Sequence, residues 1–248
     1  MTGIEWTDAT WNPTTGCDKV SLGCDNCYAL TMANRLKLMG QPRYQTDGNP
    51  RTSGPGFGLT LQHDQLTLPE RLKQPRRIFV NSMSDLFHPD VPVDFILSVW
   101  ETMARTPRHT YQILTKRPER MRRIVDAIAS IDEPLPNVWL GTSIESDRYV
   151  WRANHLQETP AAVRFLSLEP LLGPLPSLSL AGIGWVIIGA ESGAGARPMN
   201  NTWALDLVER CKDAAVPVFV KQLSGGRHPI KNMDQFPYEN LKVRAYPQ

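Results

Sequence analysis

The chain has 248 residues, of which 41% are hydrophobic and 21% are charged. These values are typical of a globular protein and exclude a disordered or fibrous chain. Its formal net charge is only +2, so overall charge neither requires nor excludes a nucleic-acid partner. No apolar run reaches the roughly 18 residues that a membrane span needs, and the first residues lack the pattern of a signal peptide. The sequence therefore predicts a cytoplasmic protein without a membrane partner.

Short apolar runs alternate with stretches of helical spacing along most of the chain. Near-continuous apolar runs between polar loops indicate parallel strands that are buried on both faces. The predicted strands cover residues 9–12, 77–82, 109–115, 137–142, 163–167, 184–189 and 216–221. The predicted helices cover residues 29–39, 93–105, 118–131, 147–157 and 201–214. This alternation predicts an α/β fold, either a partial (β/α) barrel of six to seven parallel strands or a doubly wound sheet, and we favour the barrel.

Two segments fall outside this repeating pattern. A loop at about residues 40–76 begins with a stretch rich in Gly, Pro, Asn and Arg, and the chain from about residue 224 has the composition of an irregular tail. Long loops of this kind are often functional. No shift in composition marks a second domain, so we expect one domain over residues 1–248.

Three of the four cysteines lie close together, in the loop after the first predicted strand. Cys17, Cys24 and Cys27 have the spacing C-x6-C-x2-C, and Gly16 and Gly23 allow the chain to turn tightly around them. A structural zinc ion usually takes four protein ligands, so zinc would need a distant histidine or the fourth cysteine. Three thiolates can instead hold a 4Fe-4S cluster with one iron open to another ligand. We favour the cluster, with zinc and unrelated core cysteines as the alternatives.

Polar side chains follow the predicted strands at their carboxyl ends. In barrels and open α/β sheets the functional site is assembled at this edge. The sequence therefore predicts a site at this rim. The candidate residues there are Ser82, Ser84, Asp85, Lys116, Ser143, Glu145, Glu169 and Glu191.

At the cysteines the sequence resembles the radical S-adenosylmethionine enzymes, which carry three cysteines after the first strand of a partial barrel. The order of motifs is similar to that of the branch containing the spore photoproduct lyases, in SMSDLFHP at 82–89, LTKR at 114–117 and LEPLL at 168–172. From about residue 4 to residue 223 the chain also resembles a bacteriophage-associated three-cysteine family whose biochemical role is largely uncharacterised. The motifs of that family are WNPTTGC at 11–17, LTKRP at 114–118 and GAESG at 189–193.

The resemblance implies that a 4Fe-4S cluster held by the three cysteines reductively cleaves S-adenosylmethionine to start radical chemistry, with electrons from an external donor. The cofactors would supply that chemistry, and the protein would supply orientation and the exclusion of water. In this sequence Ser82, Ser84 and Asp85 would bind the methionine ammonium and carboxylate, and Lys116 would pair with the carboxylate. Ser143 and Glu145 would bind the ribose or the carboxylate. Glu169 and Glu191 would bind ribose hydroxyls or a substrate group.

The sequence also departs from the superfamily pattern. The usual cysteine spacing is C-x3-C-x2-C, Asn26 replaces an aromatic residue, and residues 81–85 occupy the place of a glycine-rich segment that binds the methionine amino group.

The sequence does not identify the substrate, and the lyase-like motifs favour a nucleic acid. One alternative is a non-catalytic metal- or cluster-stabilised binding protein that acts with a partner protein. Another is a metal-independent barrel enzyme that uses Lys116, Lys221 and the glutamates for acid–base chemistry.

Overall fold

The computed structural model describes residues 4–193, 195–225 and 228–247. Its strands are β1 (Ala9–Trp11), β2 (Thr14–Thr15), β3 (Thr60–Leu61), β4 (Arg77–Val80), β5 (Thr110–Thr115), β6 (Val138–Ser143), β7 (Val163–Leu168), β8 (Trp185–Gly189) and β9 (Val218–Gln222). Its helices are α1 (Tyr28–Leu38), α2 (Val93–Arg105), α3 (Pro118–Ala129), α4 (Trp151–Glu158) and α5 (Asn201–Asp213).

Seven strands form one parallel sheet in the order β1-β4-β5-β6-β7-β8-β9. The sheet curls into a half-barrel, which confirms the predicted α/β fold and partial barrel. Strands β2 and β3 form a separate antiparallel pair that the sequence pattern does not predict. The predicted helix at 147–157 is shorter than expected, because Asp147–Tyr149 forms a 3-10 turn before α4 begins. None of the helices in the described ranges is long and apolar enough to cross a membrane.

Alternate residues of the strands enter two different cores. On the convex face, residues such as Ile113 and Leu140 pack under the helices in the larger core. On the concave face, Phe165 and Trp185 belong to a smaller aromatic core. Gly141 lies opposite Phe165 in the sheet, and a Cβ at Gly141 would come within 2.5 Å of the Phe165 ring. Because both faces are buried, the strands consist of near-continuous apolar runs.

The chain after residue 242 crosses the amino-terminal end of the half-barrel. The Ala245 amide donates to the Val218 carbonyl at 2.9 Å, which attaches this segment to β9. The Tyr246 ring lies 5.4 Å from the Trp185 ring, and the Arg77 guanidinium at the other side of the sheet lies 4.1 Å from the Tyr246 ring centre. The tail thereby closes one end of the aromatic core, while the carboxyl ends of the strands remain available for polar residues.

Candidate cysteine-lined site

The three clustered cysteines line a single cavity at the carboxyl rim of the half-barrel. Cys17, Cys24 and Cys27 are free thiols of intermediate exposure, and the cavity has a volume of about 150 Å³. That volume is many times the roughly 10–15 Å³ that a single water needs. Gly16 has a positive φ of 87°, and a Cβ there would lie 2.2 Å from the Gly58 carbonyl oxygen. Gly16 therefore lets the start of the cysteine loop pass close to the Gly58 backbone.

Cys17 differs from the other two cysteines in its surroundings. Burial raises the pKa of the Cys17 thiol to about 12, and the nearby Asp85 carboxylate acts in the same direction. The Arg117 guanidinium opposes this shift from 3.5 Å away, with Nη1 directed at the sulfur. Without a bound metal ion the Cys17 side chain is therefore a thiol, and coordination of a metal ion would deprotonate it.

Five of the eight predicted rim residues line the same cavity, namely Ser82, Ser84, Asp85, Lys116 and Ser143. Three of these five are already bonded within the protein. The Asp85 carboxylate accepts a hydrogen bond from Thr115 Oγ1 at 2.7 Å and pairs with Arg117 at 2.9 Å. Ser84 Oγ donates to the Thr14 carbonyl at 2.7 Å, and Ser82 Oγ contacts Asn12 Oδ1 at 3.2 Å. These three residues therefore shape the cavity wall.

Three polar groups on the wall have no partner among the described residues. Lys116 has no acidic side chain within ion-pair distance, and Ser143 Oγ makes no hydrogen bond within the described ranges. Asn81 Oδ1 is buried without a hydrogen bond, while Asn81 Nδ2 donates to Thr14 Oγ1. Asn81 is held at a positive φ of 64° directly after β4. Asn81 is not among the site residues predicted from the sequence, because no local pattern marks this backbone conformation.

The other three predicted residues, all glutamates, lie outside the residues that line the cavity. Glu145 is fully buried and ion-paired with Arg152 at 2.9 Å, and it accepts a hydrogen bond from the Gly23 amide at 3.2 Å. Because Gly23 belongs to the cysteine loop, Glu145 anchors that loop to α4. Glu169 pairs with Lys221 at 2.9 Å. Ligand roles for these glutamates remain predictions, and their carboxylates are already engaged by the protein.

Glu191 holds the opposite side of the cysteine loop. Its carboxylate accepts from Asn26 Nδ2 at 2.9 Å and pairs with Arg197 at 2.5 Å. Burial would raise the pKa of Glu191, but the hydrogen bonds from Arg197 and Asn26 outweigh it and lower that pKa. Arg197 also donates to the Leu22 carbonyl at 2.8 Å. Glu191 and Arg197 together form a clamp on residues 22–26.

The sulfur donors suit a thiolate-bound metal group, and soft ligands of this kind select iron–sulfur clusters or zinc. Within the described ranges, no three His, Cys, Asp or Glu side chains are already gathered as a metal site. Cys211 is fully buried in the larger core and does not line this cavity, as expected of a core cysteine. His88 is the histidine tied to the cysteine loop, through a 3.0 Å contact with Asp18. The sulfur donors at the cavity are therefore the three cysteines.

The chain belongs to the family described as protein of unknown function (DUF5131), because a model of that family matches residues 1–240. The match covers the cysteine loop, every strand of the sheet and all of the predicted rim residues. The chain matches no curated protein and no solved structure.

Proposed function

We propose that this protein is an iron–sulfur enzyme of the radical S-adenosylmethionine type, with a 4Fe-4S cluster held by Cys17, Cys24 and Cys27. The observation that carries the proposal is the single cavity in which three free thiols face unpaired polar groups at the carboxyl rim of a parallel half-barrel. Three protein thiolates leave one iron of such a cluster free for a further ligand. A structural zinc ion usually takes four protein ligands, and the lining residues of the cavity include no fourth cysteine and no histidine.

The unpaired groups fit the two ends of an amino acid. Asn81 Oδ1, a buried acceptor, suits the ammonium group of S-adenosylmethionine, and Lys116 suits its carboxylate. Ser143 Oγ is available to either the carboxylate or the ribose. The aromatic core below the rim, which includes Phe165 and Trp185, excludes water from that side. When bound, the cluster supplies the electron for cleavage of S-adenosylmethionine, and an external donor replaces it.

The proposal is tested by anaerobic purification followed by quantitation of iron, sulfide and zinc. We expect about four irons per chain and a reduced-cluster electron paramagnetic resonance signal that changes when S-adenosylmethionine is added. Alanine at any of the three clustered cysteines should abolish iron binding, whereas Cys211→Ala, the matched control, should retain it.

Lys116→Ala should retain the cluster, and S-adenosylmethionine should no longer change its signal. Stoichiometric zinc without iron after anaerobic reconstitution would contradict the proposal. That result would favour a metal-stabilised binding protein that acts with a partner protein. We include a nucleic-acid substrate in the proposal, and it is supported by the motif resemblance alone.

A further inference from the structure

Arg117 is a nearly buried cation that three groups fix in place. Its side chain is only 11% exposed, and Nη1 lies 2.9 Å from the Asp85 carboxylate. Nη2 donates to the Asp18 carbonyl at 3.1 Å, and Nη1 also donates to the Cys17 sulfur at 3.5 Å. The planar guanidinium thus uses its fork to connect a carboxylate, a carbonyl of the cysteine loop and a thiol.

The partner that orients Arg117 is itself held firmly. Asp85 accepts hydrogen bonds from Thr115 Oγ1 at 2.7 Å and from the Phe87 amide at 3.0 Å. Thr115 Oγ1 in turn accepts from the Arg117 amide at 2.8 Å. Of the three clustered cysteines, Cys17 is the one whose sulfur accepts a hydrogen bond from a charged group. Neither Cys24 nor Cys27 has a side-chain hydrogen bond in the part of the chain that the structure describes.

We propose that Arg117 is a positioning residue that orients the Cys17 sulfur and raises the reduction potential of the metal group bound there. This inference rests on the proposed cluster. A cluster gains negative charge when a one-electron reductant donates an electron to it, and a fixed cation beside one ligand sulfur stabilises that charge. Hydrogen bonds to the sulfurs and local charge are established determinants of cluster potential, and partners of metal ligands affect the metal site strongly.

The test compares Arg117→Gln with Arg123→Gln in redox titrations of the anaerobic protein, with dithionite as the reductant. Arg123 is an exposed arginine of α3, so the control removes the same charge without a contact to the cysteines. We expect Arg117→Gln to disfavour reduction about tenfold, which lowers the midpoint potential by about 59 mV. Arg117→Lys, which keeps the charge and loses the fork, should give an intermediate value. A midpoint for Arg117→Gln equal to that of the control would overturn the inference.

Arg117→Gln leaves the buried Asp85 carboxylate without its ion-pair partner and can therefore unfold the protein. In that case the double variant Asp85→Asn, Arg117→Gln removes two opposite charges together with the hydrogen bond to the Cys17 sulfur. Because its net charge is unchanged, its control is the wild-type protein, and its midpoint potential should lie below that control. A value equal to or above the control would contradict the inference.

The role of Arg117 can also be tested if the protein binds no cluster. If the wild-type protein assembles no cluster, the proposed function fails, and Co²⁺ added to the metal-free protein provides an independent spectroscopic probe. The sulfur-to-cobalt charge-transfer band should then move to lower energy in Arg117→Gln, because a sulfur without its hydrogen-bond donor gives up an electron more readily. An unchanged band, with Arg123→Gln as the reference, would overturn the role of Arg117.

Discussion

His109 is a buried imidazole directly before β5, only 1% exposed. Its Nε2 lies 3.1 Å from the Pro69 carbonyl oxygen, where a neutral ring donates a hydrogen bond, and Nδ1 has no partner in the described residues. Burial lowers the pKa of His109, and the nearby charges of Arg108 and Arg76 act in the same direction, against hydrogen bonds to backbone carbonyls. The folded protein therefore keeps this histidine neutral.

The free energy of unfolding should consequently fall as the solution is acidified. The unfolded chain binds a proton at His109 from about pH 6.5 downward, whereas the folded protein binds it only at lower pH, so the unfolded state gains protons first. We expect wild type to lose more stability than His109→Gln between about pH 7.5 and pH 5.5 in urea titrations. His228→Gln, at an exposed position, is the control, and an equal loss in wild type and His109→Gln would contradict this account.

The cysteine loop is held from two sides by glutamates that follow two different strands. Glu145 follows β6 and bonds to Gly23, and Glu191 follows β8 and bonds to Asn26. The loop itself contains only a short 3-10 turn, Leu22–Cys24. The rim glutamates therefore supply order that the sequence of the loop does not provide.

Replacement of Glu191 separates this clamping role from the ligand role predicted from the sequence. Glu191→Gln weakens the pair with Arg197, so amide hydrogen exchange over residues 22–27 should become about tenfold faster even without any ligand. Glu239→Gln, which alters an exposed pair with Lys242, should leave that exchange unchanged. If Glu191→Gln impairs ligand binding without altering exchange in the loop, Glu191 contacts the ligand and does not act as a clamp.

Much of the architecture could be predicted from the sequence, because parallel strands buried on both faces have a distinct apolar pattern. The position of the rim could also be predicted, since parallel strands end at the same edge. Which rim residues are free could not, because that depends on how the chain after each strand folds back onto the glutamates. Arg152 and Arg197 engage Glu145 and Glu191, and no spacing in the sequence links these side chains. The unpaired oxygen of Asn81 depends in the same way on a backbone angle.

The C-terminal segment connects the two sides of the open sheet. The Tyr246 ring packs on Trp185 and lies 5.4 Å from Phe219, and Tyr246 Oη donates to the Glu5 carbonyl at 3.3 Å. Tyr246 thus covers the amino-terminal end of the aromatic core and also contacts the chain before β1.

Tyr246→Ala should therefore destabilise the entire fold. We expect a loss of about 2–4 kcal/mol, slightly less than for a fully buried aromatic residue, because Tyr246 is partly exposed. The control is Tyr238→Ala, at a tyrosine that is 45% exposed, and it should cost less than about 1 kcal/mol. Urea unfolding followed by tryptophan fluorescence measures both. Equal costs for the two variants would show that the segment does not close the aromatic core.

The edge position of β1 has a consequence for the order in which the protein folds. β1 pairs with β4 although the two strands lie more than twice as far apart along the chain as any other pair of neighbours in the sheet. Each doubling of the closed loop costs about 0.6 kcal/mol of chain entropy, and non-local pairings slow folding. We expect β1 to join the sheet last. The cysteine loop lies within the segment that this final step closes, so a ligand of the three thiols would meet a chain whose sheet has already formed.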